Sequence, residues 1–457
     1  MKKHTYHIIT IGCQMNVSDS ERIAGCLEEL GFVRTEKREK ANTVIVTTCG
    51  VRQSAEDRAY GIIPKIKKAN SSVKIVLTGC LAGRADVQKR LKDSVDIWLP
   101  INELAGLGKI LRKRLEIAAP LARLGARNDR KGSLGGYLKI NPKYESPISA
   151  FVPIGNGCNN YCAYCVVPYA RGREVYRPAE DILAEVKGLI KKGYKEVILI
   201  AQNVNSYRSS VITQKTTGSS RRRFAPPQDD SGVVNFADLL KMVNDIPGDF
   251  WIRFATSHPK DMSEELIKTI AEREKVCQQI HLPAQAGDNK VLARMNRKYT
   301  REHYLGLIKK IRKNLPDTSI STDVIVGFPG ETRKQFQNTE KLFRQAKFDQ
   351  AFISQYSPRP GTAAAKLKNN VVKTEKKRRE EALMKVLRRT ALANNKKYIG
   401  KNTEVLFEGT RKGIFFGKTG TGKNVRIKDV SGRPVGKFFA VKIKSAKDFG
   451  LEGVFGK

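Results

Sequence analysis

The chain has 457 residues, enough for two or three domains with buried cores, and its 85 basic against 45 acidic side chains give a formal charge of +40. An excess of that size repels itself unless a polyanion faces it, which points to nucleic acid and away from a small neutral ligand. Eight cysteines are too few for a disulfide framework and two of their local spacings are those of metal ligation, so a reducing cytoplasm is expected; no window approaches the roughly 18 apolar residues of a membrane span, so no membrane insertion is expected.

Met1-Lys2-Lys3 with His4, Thr5, Tyr6 and His7 leaves too few apolar residues before Cys13 for a lipoprotein signal, and reads as a first strand. Residues 6–100 then repeat one theme. Short β-branched runs at 6–11, 43–47 and 74–78 lead to Cys13, Cys49 and Cys80, each followed by a helical stretch. This alternation predicts a parallel sheet whose strands end along one edge, where the three cysteines converge. The helix after Cys13 is expected to open on a capping box at Ser18-Asp19-Ser20-Glu21 and to close at Gly31. Ile23, Cys26, Leu27 and Leu30 fall on one of its faces, which makes Cys26 a core residue.

Residues 115–144 dissolve into Pro, Gly, Arg, Lys and Asn and read as a basic linker. A second domain follows, with strands expected at 150–154, 196–201, 250–255, 276–282, 319–326 and 351–355 between helical stretches such as 179–192 and 300–314. Six such units predict a partial or full parallel barrel with its active site at the strand carboxyl ends. The Ser, Thr, Arg and Pro-rich interruption at 208–234, with Arg221-Arg222-Arg223, is expected to be a mobile insertion. Residues 374–397 form a very basic helical stretch, and short glycine-punctuated strands over 402–455 predict a small antiparallel β-barrel. The expected fold class is α/β, divided at 1–118, a linker over 119–147, 148–375 and 376–457.

Cys158, Cys162 and Cys165 place three thiols within eight positions just after a strand, preceded by Gly155 and Gly157. Thiolates favour iron–sulfur clusters or zinc, and three of them suit a cubane that keeps one iron free better than a closed zinc site. Cys13, Cys49 and Cys80, separated by 36 and 31 residues (49 − 13 and 80 − 49), match no compact metal motif, and only the shared sheet edge argues for a second site. Cys277 beside Val276 reads as a packed small apolar residue. Gln202, Asn203 and Asn205 end a strand where polar active-site groups gather, and Gly327 to Glu331 makes a strand-to-helix turn with room for a ligand. His258 and His281 sit similarly and are read as satisfied structural histidines. Lys376 to Arg379, Arg388-Arg389 and Lys396-Lys397 suit phosphate contact better than a merely solvated helical face, and the tail adds aromatics and bases around Phe415, Phe416, Lys418, Lys423 and Arg426 in a barrel of the kind that carries single-stranded RNA.

The CxxxCxxC loop resembles that of the radical S-adenosylmethionine (SAM) superfamily, with Tyr164 where that family places an aromatic beside the SAM adenine. Gly12-Cys13-Gln14-Met15-Asn16, Thr48-Cys49-Gly50-Val51-Arg52, Gly79-Cys80, Gly157 through Gly172, Gln202-Asn203-Val204-Asn205-Ser206-Tyr207, Thr256-Ser257-His258-Pro259 and Val326-Gly327-Phe328-Pro329-Gly330-Glu331-Thr332 together resemble the MiaB-type tRNA methylthiotransferases. The chain departs from the usual pattern at Thr47, Gly83, Ala201 and Ala286, none of them a cluster cysteine.

The resemblance implies a methylthiotransferase amino-terminal domain, a radical SAM partial (β/α) barrel and a carboxyl-terminal TRAM barrel. It implies two 4Fe-4S clusters, one on Cys158, Cys162 and Cys165 and one on Cys13, Cys49 and Cys80, with SAM contacted by Tyr164, Gln202, Asn203, Gly327 and Glu331. The implied reaction methylthiolates carbon 2 of N6-isopentenyladenosine at position 37 of tRNA, a base splayed from the single-stranded anticodon loop. Implied partners are the anticodon stem-loop, an electron donor such as flavodoxin or ferredoxin and a sulfur donor, with the enzyme a cytoplasmic monomer whose TRAM barrel binds tRNA separately from SAM cleavage. The rivals are a methylthiotransferase for threonylcarbamoyladenosine or a ribosomal protein, and an RNA-binding iron–sulfur scaffold without catalysis.

Overall fold

The computed structural model describes residues 4–115, 138–210, 232–428 and 434–456. The amino-terminal sheet is parallel throughout, in the order β2 (Val33–Arg34), β1 (Thr5–Ile11), β3 (Thr43–Thr48), β4 (Lys74–Gly79), β5 (Ile97–Pro100). Ile11 pairs with Thr48 and Thr48 with Gly79, so Cys13, Cys49 and Cys80 each follow the end of one of three adjacent strands. Val44, Ile45, Val46, Ile75, Val76 and Leu77 are wholly buried, as expected of a sheet covered on both faces.

The first helix, α1 (Gln14–Glu29), begins four residues earlier than Ser18. Cys13 is its N-cap, and Asn16 at the third helical position completes the capping box. Ser18 to Glu21 are buried in tertiary contacts instead: Ser20 Oγ lies 2.8 Å from Thr10 Oγ1 and 2.9 Å from Thr47 Oγ1, and Glu21 Oε1 accepts the Glu145 amide at 3.1 Å. The expected stop holds, because Gly31 (φ +84°) turns the chain while the Phe32 amide reaches the Leu27 carbonyl at 3.0 Å. Cys26 is buried among Ile23, Leu27 and Leu30.

Residues 116–137, which hold most of the expected linker, lie outside the described residues. From Leu138 the chain runs back along α1. Leu138 is buried against the sheet core, and the Lys143 amide reaches the Glu21 carbonyl at 2.8 Å. It then enters the central domain, whose strands are β6 (Ser149–Pro153), β9 (Glu196–Ile200), β12 (Trp251–Ala255), β13 (Gln279–His281), β14 (Ser319–Val326) and β15 (Gln350–Gln355). They form two parallel three-stranded sheets joined by the bridge between Ile252 and Val276. The strand expected over 276–282 is thus split, because the Gln279 amide folds back onto the Cys277 carbonyl at 2.8 Å. Two small hairpins sit outside this row, β7 (Gly155–Asn156) with β8 (Val175–Tyr176) and β10 (Arg208–Ser210) with β11 (Val233–Asn235). The second is the root of the 208–234 interruption, whose residues 211–231, and with them its expected mobility, lie outside the described residues.

The helix Lys373–Lys396 packs on β15 and leads into a closed five-stranded barrel: β16 (Asn402–Arg411), β17 (Ile414–Thr419), β18 (Asn424–Lys428), β20 (Gly450–Phe455), β19 (Phe438–Lys447). It is antiparallel except for the β18–β20 pair, which is parallel. Among the described residues no helix is long and apolar enough to cross a membrane.

The small barrel is a plug rather than a separable appendage. Arg253 donates to the Thr419 carbonyl at 2.8 Å while paired with Glu196 at 2.5 Å, and Lys423 Nζ meets Asp349 at 2.5 Å. Ile148, Trp251, Cys277 and Leu406 are buried together, with Phe438 against Trp251. Most of the central-domain partners lie at or just before the amino ends of their strands, opposite the mouth. Deleting 402–457 uncovers Trp251 and Ile148, each worth about 1.5–3 kcal/mol of burial, and strips Arg253 of a partner. The truncated chain is expected to melt about 10 °C lower or more. An unchanged thermal unfolding curve would show that the plug contributes nothing to the central domain.

Candidate active site between two cysteine-bearing edges

The loop that carries Cys158, Cys162 and Cys165 is fixed by backbone contacts. The Cys158 amide reaches the Gly172 carbonyl at 3.1 Å and the Cys165 amide the Cys162 carbonyl at 2.9 Å. Gly157 (φ +84°) has no room for a side chain, since a Cβ there would stand 2.1 Å from the Arg173 carbonyl oxygen. All three thiols are half-buried. Asn160 Nδ2 lies 3.5 Å from Cys158 Sγ, and the buried Arg297 guanidinium 3.5 Å from Cys162 Sγ. Burial pushes the Cys158 and Cys165 thiols up, and the neighbouring Cys162 adds to the shift at both.

Across from this loop is the edge of the amino-terminal sheet. Cys13 and Cys49 share a hydrogen bond that holds Cys13 below the usual thiol range, helped by Arg171, and pushes buried Cys49 above it. The two edges touch: a Cβ on Gly50 would stand 3.1 Å from Val166 Cγ2 and 3.2 Å from Cys80 Cβ. Cys80 is also close enough to Cys165 to act on its charge.

Two buried ion pairs lock this arrangement. Arg171, six residues after Cys165, meets Asp19 on α1 at 2.5 Å and Asn156 at 3.1 Å. Asp19 in turn takes Asn16 Nδ2 at 3.4 Å, and Asn16 caps Cys13. On the other side Arg359 pairs with Glu56 at 3.0 Å, and donates to Gln53 at 2.7 Å and to the Val51 carbonyl at 3.2 Å. Glu56 also holds Arg84 at 2.8 Å. None of Asn16, Asp19, Arg171, Arg297 and Arg359 is given this role by the sequence; the available signals are that Asn16 and Arg171 lie inside the quoted stretches Gly12 to Asn16 and Gly157 to Gly172 and that Asp19 lies in the expected capping box, whereas Arg297 and Arg359 carry none.

The central mouth carries buried polar atoms without a partner among the described residues: Gln202 Oε1, Asn203 Oδ1, Asn205 Oδ1 and Ser257 Oγ. They follow β9 and β12, and an unpaired buried oxygen is costly unless something else supplies its hydrogen bond. Asn203 is oriented by its amide nitrogen, 2.7 Å from Asp261. Tyr164 packs against the central core, its hydroxyl pKa pushed up by burial. Gly327 and Glu331 are placed differently from the expected ligand turn. The space where a Gly327 side chain would stand is taken by Lys376 at 2.4 Å, and Glu331 accepts from the Gly327 amide at 2.6 Å while paired with Arg379 at 2.7 Å. His258 is buried, accepts the Lys260 amide at 3.2 Å and is lowered to about 2 by burial. His281 lies 2.9 Å from Ser321 and 3.1 Å from Asp323.

The basic patches divide in two. Lys376 and Arg379 are buried in the contacts just described, and Lys423 is buried on Asp349, so these three are closed to phosphate. Lys418 is engaged by Glu408 at 2.7 Å. Arg388, Arg389, Lys396, Lys397 and Arg426 are exposed. Phe416 is exposed, whereas Phe415 packs into the small barrel. Cys277 is buried in the plug interface, its thiol pushed up to about 12 by burial. Among the described residues no three His, Cys, Asp or Glu side chains converge closely enough to hold a single metal ion.

Three family models match: the radical SAM superfamily over residues 152–343, the uncharacterized protein family UPF0004 over 5–100 and the TRAM domain over 396–455. The chain is 41% identical over 460 residues to the tRNA-2-methylthio-N(6)-dimethylallyladenosine synthase of Clostridium botulinum (strain Langeland), covering 98% of this chain and 96% of the relative. It is 40% identical to the synthase of the same name from Carboxydothermus hydrogenoformans, covering 99% and 100%. In fold it is similar to the radical S-adenosylmethionine methyltransferase TsrM from Kitasatospora setae, with a TM-score of 0.56 at 12% identity over 79% of this chain and 74% of that one.

Proposed function

Because this chain belongs to the tRNA-2-methylthio-N6-dimethylallyladenosine synthase family of radical SAM enzymes, we propose that it replaces the hydrogen on carbon 2 of N6-isopentenyladenosine at position 37 of tRNA by a methylthio group. The observation that carries this reading is the pair of three-cysteine edges brought together where Gly50 meets Val166, in a chain whose central strands β9 and β12 end in unpaired polar atoms. Cys158, Cys162 and Cys165 would hold one 4Fe-4S cluster and Cys13, Cys49 and Cys80 a second. A cubane places each thiolate on a different iron and so does not need the thiols to converge on one ion.

When bound, the clusters supply an electron and an open iron for SAM on the central side and a sulfur-carrying iron on the other. This chain's own residues do the positioning. Arg297 points a guanidinium N–H at Cys162 Sγ from 3.5 Å and orients that side chain. Gln202, Asn203 and Asn205 offer acceptor oxygens, and Ser257 a hydroxyl, to the ammonium and ribose hydroxyls of SAM. Tyr164 packs its ring against the central core beside the cysteine loop, and the Arg171 and Arg359 pairs hold the two cysteine-bearing edges together.

The enzyme acts as a cytoplasmic monomer with a one-electron donor such as flavodoxin or ferredoxin. Mass spectrometry of tRNA nucleosides from cells with and without the protein tests the reaction, and an unchanged methylthio-nucleoside level would reject it. The exposed cations on the helix Lys373–Lys396, the residues just after it and the small barrel imply several phosphate contacts, so tRNA affinity is expected to fall by about a thousandfold between 50 and 200 mM salt. A flat salt response, measured by filter binding, would reject tRNA as the partner.

A further inference from the structure

We propose that Tyr161 and Tyr169, with Val51 on the adjoining Cys49 loop, form a stacking platform for an anticodon-loop base next to the one delivered to the mouth; this rests on the tRNA reading above. Tyr161 is 43% exposed and Tyr169 62%, and large apolar side chains that meet in water mark an interaction surface; Val51 on the adjoining loop is 54% exposed. The two rings meet edge to face at 6.1 Å and 82°, an arrangement that leaves a ring face open.

The position of Tyr161 is held at a cost. Its φ of +45° lies in the left-handed region, rarely occupied by a bulky residue, and Asn296 Nδ2 clamps the strained turn by donating to the Tyr161 carbonyl at 2.9 Å and the Asn160 carbonyl at 3.3 Å. Strain of this kind persists at ligand clamps, and here it presents an aromatic ring from inside the Cys158 to Cys165 loop. Tyr169 stands on the short helix Val167–Arg171 that follows the same loop. Val51 belongs to the Cys49 loop, which meets that helix where Gly50 faces Val166. The platform therefore spans both cysteine edges. Arg52 and Arg173, both exposed, adjoin Val51 and the loop in sequence and supply positive charge.

Single-stranded RNA is the occupant this chemistry fits. Any base has a π face, so aromatic stacking tolerates sequence while nearby cations track the backbone. A base held there would fix the loop beside the cysteine edges and leave its neighbour free to reach the mouth.

The test is a fluorescence-anisotropy titration of the full chain with a labelled anticodon stem-loop. Tyr161→Leu and Tyr169→Ala are each expected to weaken binding about tenfold, whereas Tyr161→Phe and Tyr169→Phe bind as the parent does. The dependence of log affinity on log salt should keep its slope in all four, because no phosphate contact is removed. Iron content and thermal unfolding report whether each variant has folded. Photo-crosslinking from halogenated loop bases to Tyr161 or Tyr169 in the unaltered protein needs no variant. Parental affinity in the Leu and Ala variants, equal losses in the Phe variants, a reduced salt slope, or crosslinks confined to the small barrel would each overturn the platform while leaving the reaction in place. Failure of the unaltered chain to bind the stem-loop would overturn the tRNA reading with it.

Discussion

Replacing Cys13, Cys49 and Cys80 together by alanine is expected to abolish methylthiolated nucleoside while 5′-deoxyadenosine is still released under reducing conditions. The reason is placement. These thiols follow three adjacent strands of the amino-terminal sheet, and Cys158, Cys162 and Cys165 occupy a separately anchored loop of the central domain. The complementary variant, with alanine at 158, 162 and 165, should lose 5′-deoxyadenosine release and product together. Iron and sulfide should fall by about half in each if each set of three thiolates holds one cubane. Chromatography of 5′-deoxyadenosine and of digested tRNA separates the two signatures. Product from the first variant would refute the sulfur-carrier role, and undiminished 5′-deoxyadenosine from the second would refute the radical-initiation role.

The largest stability effect is expected at Arg171. Its side chain is 2% exposed and that of Asp19 not at all, so Arg171→Met leaves a carboxylate in a medium that solvates it poorly. Removing one partner of a buried pair costs about 3–5 kcal/mol, whereas removing both is far milder, because no uncompensated charge remains. Arg171→Met with Asp19→Leu should therefore regain most of the loss. Urea unfolding followed by circular dichroism reads the difference. If the double variant is no more stable than Arg171→Met, the pair is not the origin of the effect. The single variant should also loosen Asn16, which Asp19 contacts at 3.4 Å and which caps Cys13. Hydrogen exchange in α1 is expected to rise even in metal-free protein.

Local signals were legible where the structural reason is itself local. Three thiols within eight residues mark a cysteine loop whatever surrounds it, and Gly31 with φ +84° stops α1 as a glycine at that position should. The strand runs before Cys13, Cys49 and Cys80 determine a parallel sheet, and parallel strands end on one edge, so convergence followed without coordinates. What the sequence could not supply was the partner of each polar group. Ser18 to Glu21 has the composition of a helix start, but that pattern does not tell a side chain that caps its own helix from one facing Thr47, Glu145 or Arg171. Asp19 and Arg171 are 152 residues apart, and no spacing rule reaches that far. Charge behaves the same way: +40 predicts a polyanion, but Lys376, Arg379 and Lys423 are buried in polar contacts, two of them ion pairs, between elements distant in sequence, and tertiary packing alone chose which cations stay in water. A net charge is a sum over residues, whereas a binding surface depends on which charges folding leaves unpaired and exposed.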